Sequence, residues 1–256
     1  MSMLSLENVS AGYDGTDVLH GIGLQINGGE FVCVIGPNGC GKTTLLRAIA
    51  GLLPYKGNLS LQGQSVKKMK RKEIAAFMAL LSQISQLYYA FSIYDTVMHG
   101  RYHHLKGAFK KPAETDHSAV RRCLQTVGLL EMKDRMIDTL SGGQLQRVYL
   151  ARTLAQEPKI ILLDEPTNHL DLRHQLELME SLKAWCQTGD RAVVGVLHDI
   201  NLALAFADRI ALLHEGRLLS FGPPSEVLQR DRLRAAFELD VSGYMKGTLA
   251  RWEHLS

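Results

Sequence analysis

The sequence has few features of a secreted, membrane-spanning or nucleic-acid-binding protein. Its four cysteines show no C-x-x-C spacing, which argues against a zinc site or a disulfide framework. No apolar run approaches the roughly 20 residues that cross a bilayer, and no signal peptide is visible. The net charge of +3 is too small to indicate nucleic acid as a partner. We therefore expect a protein of a reducing cytosol, with any membrane role peripheral.

The composition is otherwise that of an ordinary globular protein, with 46% hydrophobic and 21% charged residues. The 256 residues suffice for one large domain, or for a core with a smaller insert. We find no internal repeat and no low-complexity segment.

Residues 36–43 carry the clearest chemical signal, the spacing G-x-x-x-x-G-K-[ST] between an apolar strand and a helix-forming segment. Glycines let the backbone curl around an anion, and its N–H groups then hold phosphate oxygens. Lys42 would reach the β- and γ-phosphates, and the Thr43 hydroxyl would ligate Mg²⁺. A chance turn is the weaker alternative, given the flanking strand and helix. The predicted nucleotide-binding residues here are Gly36, Pro37, Asn38, Gly39, Cys40, Gly41, Lys42, Thr43 and Thr44.

Polar side chains follow two further apolar strands. Residues 160–163 lead into Asp164 and Glu165, and residues 193–197 lead into His198. The spacing at residues 36–43 is that of a P-loop. Because ligands bind at the carboxyl ends of strands in open α/β sheets, these side chains are predicted to share an edge with this P-loop. Asp164 suits Mg²⁺, Glu165 suits the polarisation of an attacking water, and His198 is a candidate γ-phosphate contact.

Other candidates are individually weak. Tyr13 lies in a turn between predicted edge strands, where packing on neighbours is the first interpretation and adenine stacking the second. Gln83 ends an apolar segment, from which it could reach a ligand. Ser141 is a predicted helix N-cap, and Gly142 and Gly143 expose backbone N–H groups at the positive end of that helix dipole. Taken singly, these features support only packing and capping.

Taken together and in this order, the motifs resemble the nucleotide-binding subunit of ABC transporters over essentially the full chain. Tyr13 is similar to the adenine-stacking aromatic of that family, residues 36–43 to its Walker A loop, and Gln83 to its Q-loop. The LSGGQ signature is matched by Leu140, Ser141, Gly142, Gly143 and Gln144. Residues 160–165 resemble the Walker B strand with its catalytic glutamate, residues 168–171 with Asp171 the D-loop, and His198 the H-loop switch.

The resemblance implies a P-loop NTPase (RecA-like) core of α/β class, with an N-terminal antiparallel β subdomain and an inserted α-helical subdomain. Residues 1–83 and 156–240 would form the ATP-binding core, residues 84–155 the helical insert and residues 241–256 a tail. From the residues themselves, Ser225 is predicted to cap the last helix.

The resemblance also implies that two chains pair head to tail, with each ATP between one P-loop and the other chain's residues 141–144. Mg²⁺ would be held by Thr43, Gln83 and Asp164, and hydrolysis would depend on Lys42, Gln83, Glu165 and His198. The implied partners are integral membrane permease subunits and, indirectly, a solute-binding protein, with no nucleic acid. The protein would lie on the cytoplasmic face of the inner or plasma membrane.

Residues 97–105 (VMHGRYHHL) resemble a G-R-Y-P-H stretch in importers of iron–siderophore, haem and cobalamin, and residues 164–175 are similar to the same branch. The predicted function is therefore ATP hydrolysis that drives import of a metal chelate. Two alternatives stay open, the ATPase of an exporter and a soluble ABC ATPase that acts on ribosomes or DNA. Neither a second P-loop nor sustained heptads, which are typical of the soluble proteins, is present.

Overall fold

The computed structural model describes residues 2–81, 91–105, 111–168 and 170–254. Within these ranges the strands are β1 (Ser2–Tyr13), β2 (Thr16–Asn27), β3 (Phe31–Ile35), β4 (Tyr55–Leu61), β5 (Gln64–Ser65), β6 (Met78–Leu81), β7 (Ile160–Asp164), β8 (Ala192–Val196), β9 (Arg209–His214) and β10 (Arg217–Gly222). The helices are α1 (Lys42–Ile49), α2 (Arg71–Phe77), α3 (Ile93–Met98), α4 (Glu114–Thr126), α5 (Gly142–Ala155), α6 (Leu172–Gln187), α7 (Ile200–Phe206), α8 (Pro224–Val227), α9 (Arg230–Phe237) and α10 (Val241–Glu253). This is the predicted α/β class with an antiparallel N-terminal sheet.

The larger sheet has six strands in the order β10-β9-β3-β8-β7-β6, and only the pair β9 and β10 is antiparallel. Every residue of β3 and β8 is buried, because both faces of this sheet are covered. Val34 of β3 lies beside Val196 of β8, and Val196 lies beside Asp164 of β7. The carboxyl ends of these three strands therefore meet at one edge of the sheet.

Strand β3 separates two hydrophobic cores, because successive side chains of a strand point to opposite faces. Phe31, Cys33 and Ile35 pack with side chains from α3, α4, α5 and α6. Val32 and Val34 pack with α1 and with the antiparallel sheet, whose strand order is β2-β1-β4-β5. The loop that follows β3 contributes the buried Cys40 to the second of these cores.

Helices α3, α4 and α5 pack on one another around a buried cation. Arg101 is 6% exposed, and its Nε donates to Oδ1 of Asp116 at 3.0 Å. Its Nη1 donates to the carbonyl oxygen of Ala155 at 2.9 Å and lies 2.8 Å from Oε2 of Glu157. Arg101 therefore ties α4 to the segment between α5 and β7. The subdomain boundaries drawn from the sequence stay predictions.

The prediction that Ser225 caps the last helix is wrong. Helix α8 begins at Pro224 after Pro223, and two further helices follow it. Proline suits the first turn of a helix because its φ is fixed and it has no N–H to leave unpaired. Helix α10 lies in the predicted tail, and its N-cap Asp240 accepts the N–H of Gly243 at 3.0 Å. None of the helices in the described ranges is long and apolar enough to cross a membrane.

Replacement of Arg101 by alanine should lower the free energy of unfolding by about 3 kcal/mol, because it leaves the buried carboxylate of Asp116 unpaired. Arg121→Ala is the matched control, since Arg121 pairs with Glu114 on the surface, where water screens the charges and the loss should be much smaller. Urea unfolding at neutral pH measures both losses. Equal losses in the two variants would contradict this account of the buried pair.

The stability that the pair of Arg101 and Asp116 contributes depends on pH. Although burial opposes ionisation of Asp116, the Ala113 N–H and the Arg101 guanidinium together hold its pKa below the ordinary value. A carboxyl with a lowered folded pKa stabilises the protein above its unfolded pKa, and this stability is lost as the pH falls through the folded pKa. Wild type should therefore lose more stability in acid than Arg101→Ala does. If the unfolding free energies of wild type and Arg101→Ala fell in parallel as the pH is lowered, this account would be wrong.

Candidate active site

Residues 36–44 connect β3 to the first turn of α1 and include two glycines with positive φ and little room for a side chain. Gly36 has a φ of 152°, and a Cβ there would lie 2.2 Å from the carbonyl oxygen of Leu213. Gly41 has a φ of 100°, and its Cβ would lie 2.7 Å from Cδ2 of Leu19. Glycine alone combines these backbone angles with such close approaches.

The loop holds a cation against its own backbone. Lys42 is 6% exposed, and its Nζ donates to the carbonyl oxygens of Gly36 and Pro37, both at 2.9 Å. Cys40 is buried nearby, and burial raises the pKa of its thiol, which stays neutral. A single positive charge beside the N-terminus of a helix is an arrangement suited to phosphate.

Thr43 and Asp164 bring a hydroxyl and a carboxylate together. Oγ1 of Thr43 donates to Oδ1 of Asp164 at 3.0 Å. Burial raises the pKa of Asp164; the hydrogen bond from Thr43 opposes this rise, and the charge of Glu165 adds to it. A nearby cation would stabilise such a carboxylate, and two hard oxygen donors fit Mg²⁺. Gln83, the third predicted ligand, lies outside the described residues.

Glu165 is held in place by groups on both sides. Its N–H donates to the carbonyl oxygen of Val196 at 3.2 Å, and its φ of 54° then turns the chain away from the sheet. Its Oε1 lies 2.5 Å from Nε2 of His198. Its Oε2 accepts a hydrogen bond from Nδ2 of Asn168 at 2.7 Å. A carboxylate fixed in this way can orient a water molecule and accept its proton.

No separate role for Asn168 follows from the sequence, where it is only part of the segment 168–171. The structure shows a tight turn in which the N–H of Asn168 donates to the carbonyl oxygen of Glu165 at 3.3 Å, so that the two side chains meet. The sequence signal for this contact is Pro166, because a proline directly after Glu165 is typical of a turn, and a turn brings residue 168 back to residue 165.

One cleft of about 450 Å³ brings eight of the predicted site residues together. It is lined by Val18, Asn38, Gly39, Gly41, Lys42, Thr43, Thr44, Glu165 and His198. The phosphate-binding loop, the carboxylate and the imidazole thus share one edge, as the strand ends predicted. Val18 is an addition that the sequence did not indicate, brought there because β2 passes over Gly41.

Tyr13 lies beside this cleft. It is 40% exposed, and its hydroxyl accepts a hydrogen bond from Nη1 of Arg47 at 3.2 Å. It lines a neighbouring cleft together with Leu53, Pro54 and Tyr55. These contacts match the packing interpretation, and adenine stacking stays a prediction.

The predicted signature segment does not line the P-loop cleft. Ser141 and Gln144 cap the start of α5 reciprocally. Oγ of Ser141 accepts the Gln144 N–H at 3.3 Å, and Oε1 of Gln144 accepts the Ser141 N–H at 3.0 Å. Asp171 caps α6, where its Oδ1 accepts the N–H of His174 at 2.9 Å. The role of these residues in nucleotide binding stays a prediction.

Residues 19–168, more than half of the chain, match the profile of the ABC transporter family. The chain belongs to this family, whose ATP-binding subunits hydrolyse ATP to power transport. The match confirms the family and the P-loop NTPase fold that the motifs predicted.

The relatives include ATP-binding subunits of iron and haem import systems. The chain is 39% identical to the "Probable siderophore transport system ATP-binding protein YusV" of Bacillus subtilis (strain 168), over 94% of this chain and 87% of that protein. It is 39% identical to the hemin import ATP-binding protein HmuV of Rhodopseudomonas palustris (strain BisA53), over 93% of this chain and 89% of that protein. A solved structure of a proposed metal-chelate type ABC transporter, in an inward-facing conformation, matches 94% of this chain and 90% of its own, with a TM-score of 0.82 and 30% identity.

Gly36→Ala should destabilise the chain more than Gly39→Ala. Both glycines have positive φ, but a Cβ at Gly36 would collide with the backbone of Leu213, whereas no atom lies within 4 Å of one at Gly39. Backbone strain alone should lower the unfolding free energy by about 1 kcal/mol in Gly39→Ala. Strain and overpacking together should lower it by about 3 kcal/mol in Gly36→Ala. Urea unfolding of the nucleotide-free chain compares them, and equal losses would contradict the close approach to β9.

Proposed function

We propose that this chain is the ATP-hydrolysing subunit of an ABC importer, which moves a metal chelate of the iron–siderophore, haem or cobalamin type through a separate membrane permease. The observation that carries the proposal is the carboxylate of Glu165, which His198 and Asn168 fix at the rim of the P-loop cleft. The siderophore and hemin import systems among the relatives support the class of cargo.

ATP would bind with its phosphates against residues 36–44. The Lys42 ammonium lies inside this loop and would neutralise the β- and γ-phosphates, while backbone N–H groups hold their oxygens. Thr43 and Asp164 would hold Mg²⁺, with Gln83 as a further ligand. When bound, the ion would neutralise phosphate charge and orient the reacting phosphate.

Hydrolysis of ATP requires a positioned water more than covalent chemistry by the protein. Glu165 would orient this water and accept its proton, which needs a carboxylate with a fixed direction. Asn168 acts as a positioning residue because it holds Oε2 while Oε1 contacts His198. His198, at the same rim, would hold the γ-phosphate.

A second copy, paired head to tail, would complete each site. Residues 141–144 of one copy would cover the nucleotide in the P-loop of the other, and Asp171 would lie near the same interface. The start of α5 supports this role, because Ser141 and Gly142 are exposed and the N-terminus of a helix attracts anions. ATP would favour the closed pair and hydrolysis would remove that preference, which gives a cycle that a permease can use.

In this scheme the protein is peripheral, on the cytoplasmic face of the inner or plasma membrane. Integral permease subunits are its direct partners, and a solute-binding protein acts on the complex indirectly. Cargo would be selected by those subunits.

Glu165→Gln should bind ATP and dimerise with it, yet hydrolyse it at least about a hundredfold more slowly, because a neutral amide cannot accept the water's proton. Lys42→Ala is the companion variant and should lose nucleotide affinity. Steady-state phosphate release, fluorescent ATP titration and analytical ultracentrifugation measure the three properties. Near-normal turnover would remove Glu165 from this role, and unchanged affinity in Lys42→Ala would contradict the P-loop assignment.

Affinity capture of the tagged full chain from detergent-solubilised membranes tests the transport role. We expect co-purification of an integral permease, whose reconstituted complex takes up a ferric siderophore, haem or cobalamin in an ATP-dependent manner. Recovery of ribosomes or DNA without a membrane partner would instead favour a soluble ABC ATPase. ATP-dependent efflux by the complex would favour an exporter.

A further inference from the structure

His174 connects the start of α5 to the start of α6. A Cβ built on Gly143 would lie 2.8 Å from Cδ2, 2.9 Å from Cγ and 3.0 Å from Nε2 of its imidazole. The ring therefore lies directly against the α-carbon of Gly143, and a larger residue there must displace it. At Gly142 nothing lies within 4 Å of such a Cβ, so the close approach is specific to Gly143.

The same ring is held on its other side by Asp171. Nδ1 of His174 lies 2.7 Å from Oδ1 of Asp171, which also accepts the backbone N–H of His174 at 2.9 Å. A hydrogen bond to this carboxylate places a proton on Nδ1. These two bonds from His174 hold the pKa of the Asp171 carboxyl below its ordinary value, so it is ionised at neutral pH.

Gly143 and Asp171 belong to the two segments that the proposed pairing presents to the other copy. Neither segment lines the P-loop cleft of its own chain. In a single chain their spacing matters little, whereas in a pair both must reach the partner together. A contact that orders them in advance reduces the conformational entropy lost when two copies close.

We propose that His174 is a positioning residue that sets the spacing between Gly143 and Asp171, so that both meet the partner copy in one fixed arrangement. This inference rests on the proposed head-to-tail pairing. His174 then acts on dimer closure and on turnover, without contact to the nucleotide bound in its own chain.

Three full-length variants test the ring and its hydrogen bond. His174→Ala removes both contacts, whereas His174→Asn keeps an N–H donor near the position of Nδ1. Arg173→Ala is the control, because Arg173 is exposed in the same helical turn and pairs with Glu177 at 2.8 Å. The dimerisation constant is measured with ATP in the Glu165→Gln background, and kcat and KM in the wild-type background.

His174→Ala should weaken ATP-driven dimerisation and lower kcat, each by about tenfold, as expected for the loss of one hydrogen bond to a charged group. The affinity of the single chain for ATP should not change. His174→Asn should recover most of kcat, and Arg173→Ala should stay within about twofold of wild type.

A double-mutant cycle tests the contact itself. Gly143→Ala should displace the ring from Asp171, whereas in Gly143→Ala/His174→Ala the added methyl has room. The combined defect in dimerisation should therefore be smaller than the sum of the two single defects. Gly142→Ala combined with His174→Ala should be additive, because Gly142 does not contact the ring. Additivity in both cycles would overturn the inference.

The outcomes separate the two proposals. If the Glu165→Gln chain does not dimerise with ATP, the head-to-tail pairing fails, and the role of His174 fails with it. If that chain dimerises but His174→Ala leaves dimerisation and kcat unchanged, only the positioning role is overturned. A lower melting temperature with unchanged dimerisation and kcat has the same meaning, because it would show a purely structural role.

Discussion

The candidate site depends on the register of three parallel strands. Val34 of β3 lies beside Val196 of β8, which lies beside Asp164 of β7, so the strands end level with one another. Glu165 and His198 follow these ends by one and two residues, which is why their side chains meet. A slip of one residue in either pairing would turn the strand's side chains to the opposite face of the sheet and separate the pair.

Backbone strain at Glu165 is part of the same arrangement. A left-handed φ of 54° costs a residue with a Cβ about 1 kcal/mol. This turn follows the last hydrogen bond to Val196 and directs the carboxylate along the sheet edge instead of back into the sheet. Contacts from His198 and Asn168 offset the strain and fix the direction of both oxygens. Strain of this kind is typical of sites where orientation matters more than local stability.

Sequence patterns predicted the features that depend on neighbouring residues. The apolar runs of β3, β7 and β8, the spacing of the P-loop and the cap at Ser141 are of this kind. Contacts made across the fold left no such pattern. His198 meets Glu165 from a different strand, and Val18 reaches Gly41 only because two sheets pack together. The local turn that brings Asn168 to Glu165 had only the weak signal of Pro166. For α8, the fixed φ of proline outweighed the capping preference that had favoured serine.

The two ends of β7 connect the helical region to the chemistry. The guanidinium of Arg101 forms an ion pair with Glu157, three residues before β7, and Glu165 directly follows the strand. Because β7 is hydrogen-bonded to β6 and β8 along its length, it cannot slide without loss of both ladders. Movement of α3, α4 and α5 would carry Gly143 with it. It would also pull on the residue next to Glu165, because Nε2 of Gln146 in α5 donates to the carbonyl oxygen of Pro166 at 3.0 Å. Such a movement would strain the contact of Gly143 with His174, so this contact defines the arrangement in which α5 and α6 can act together.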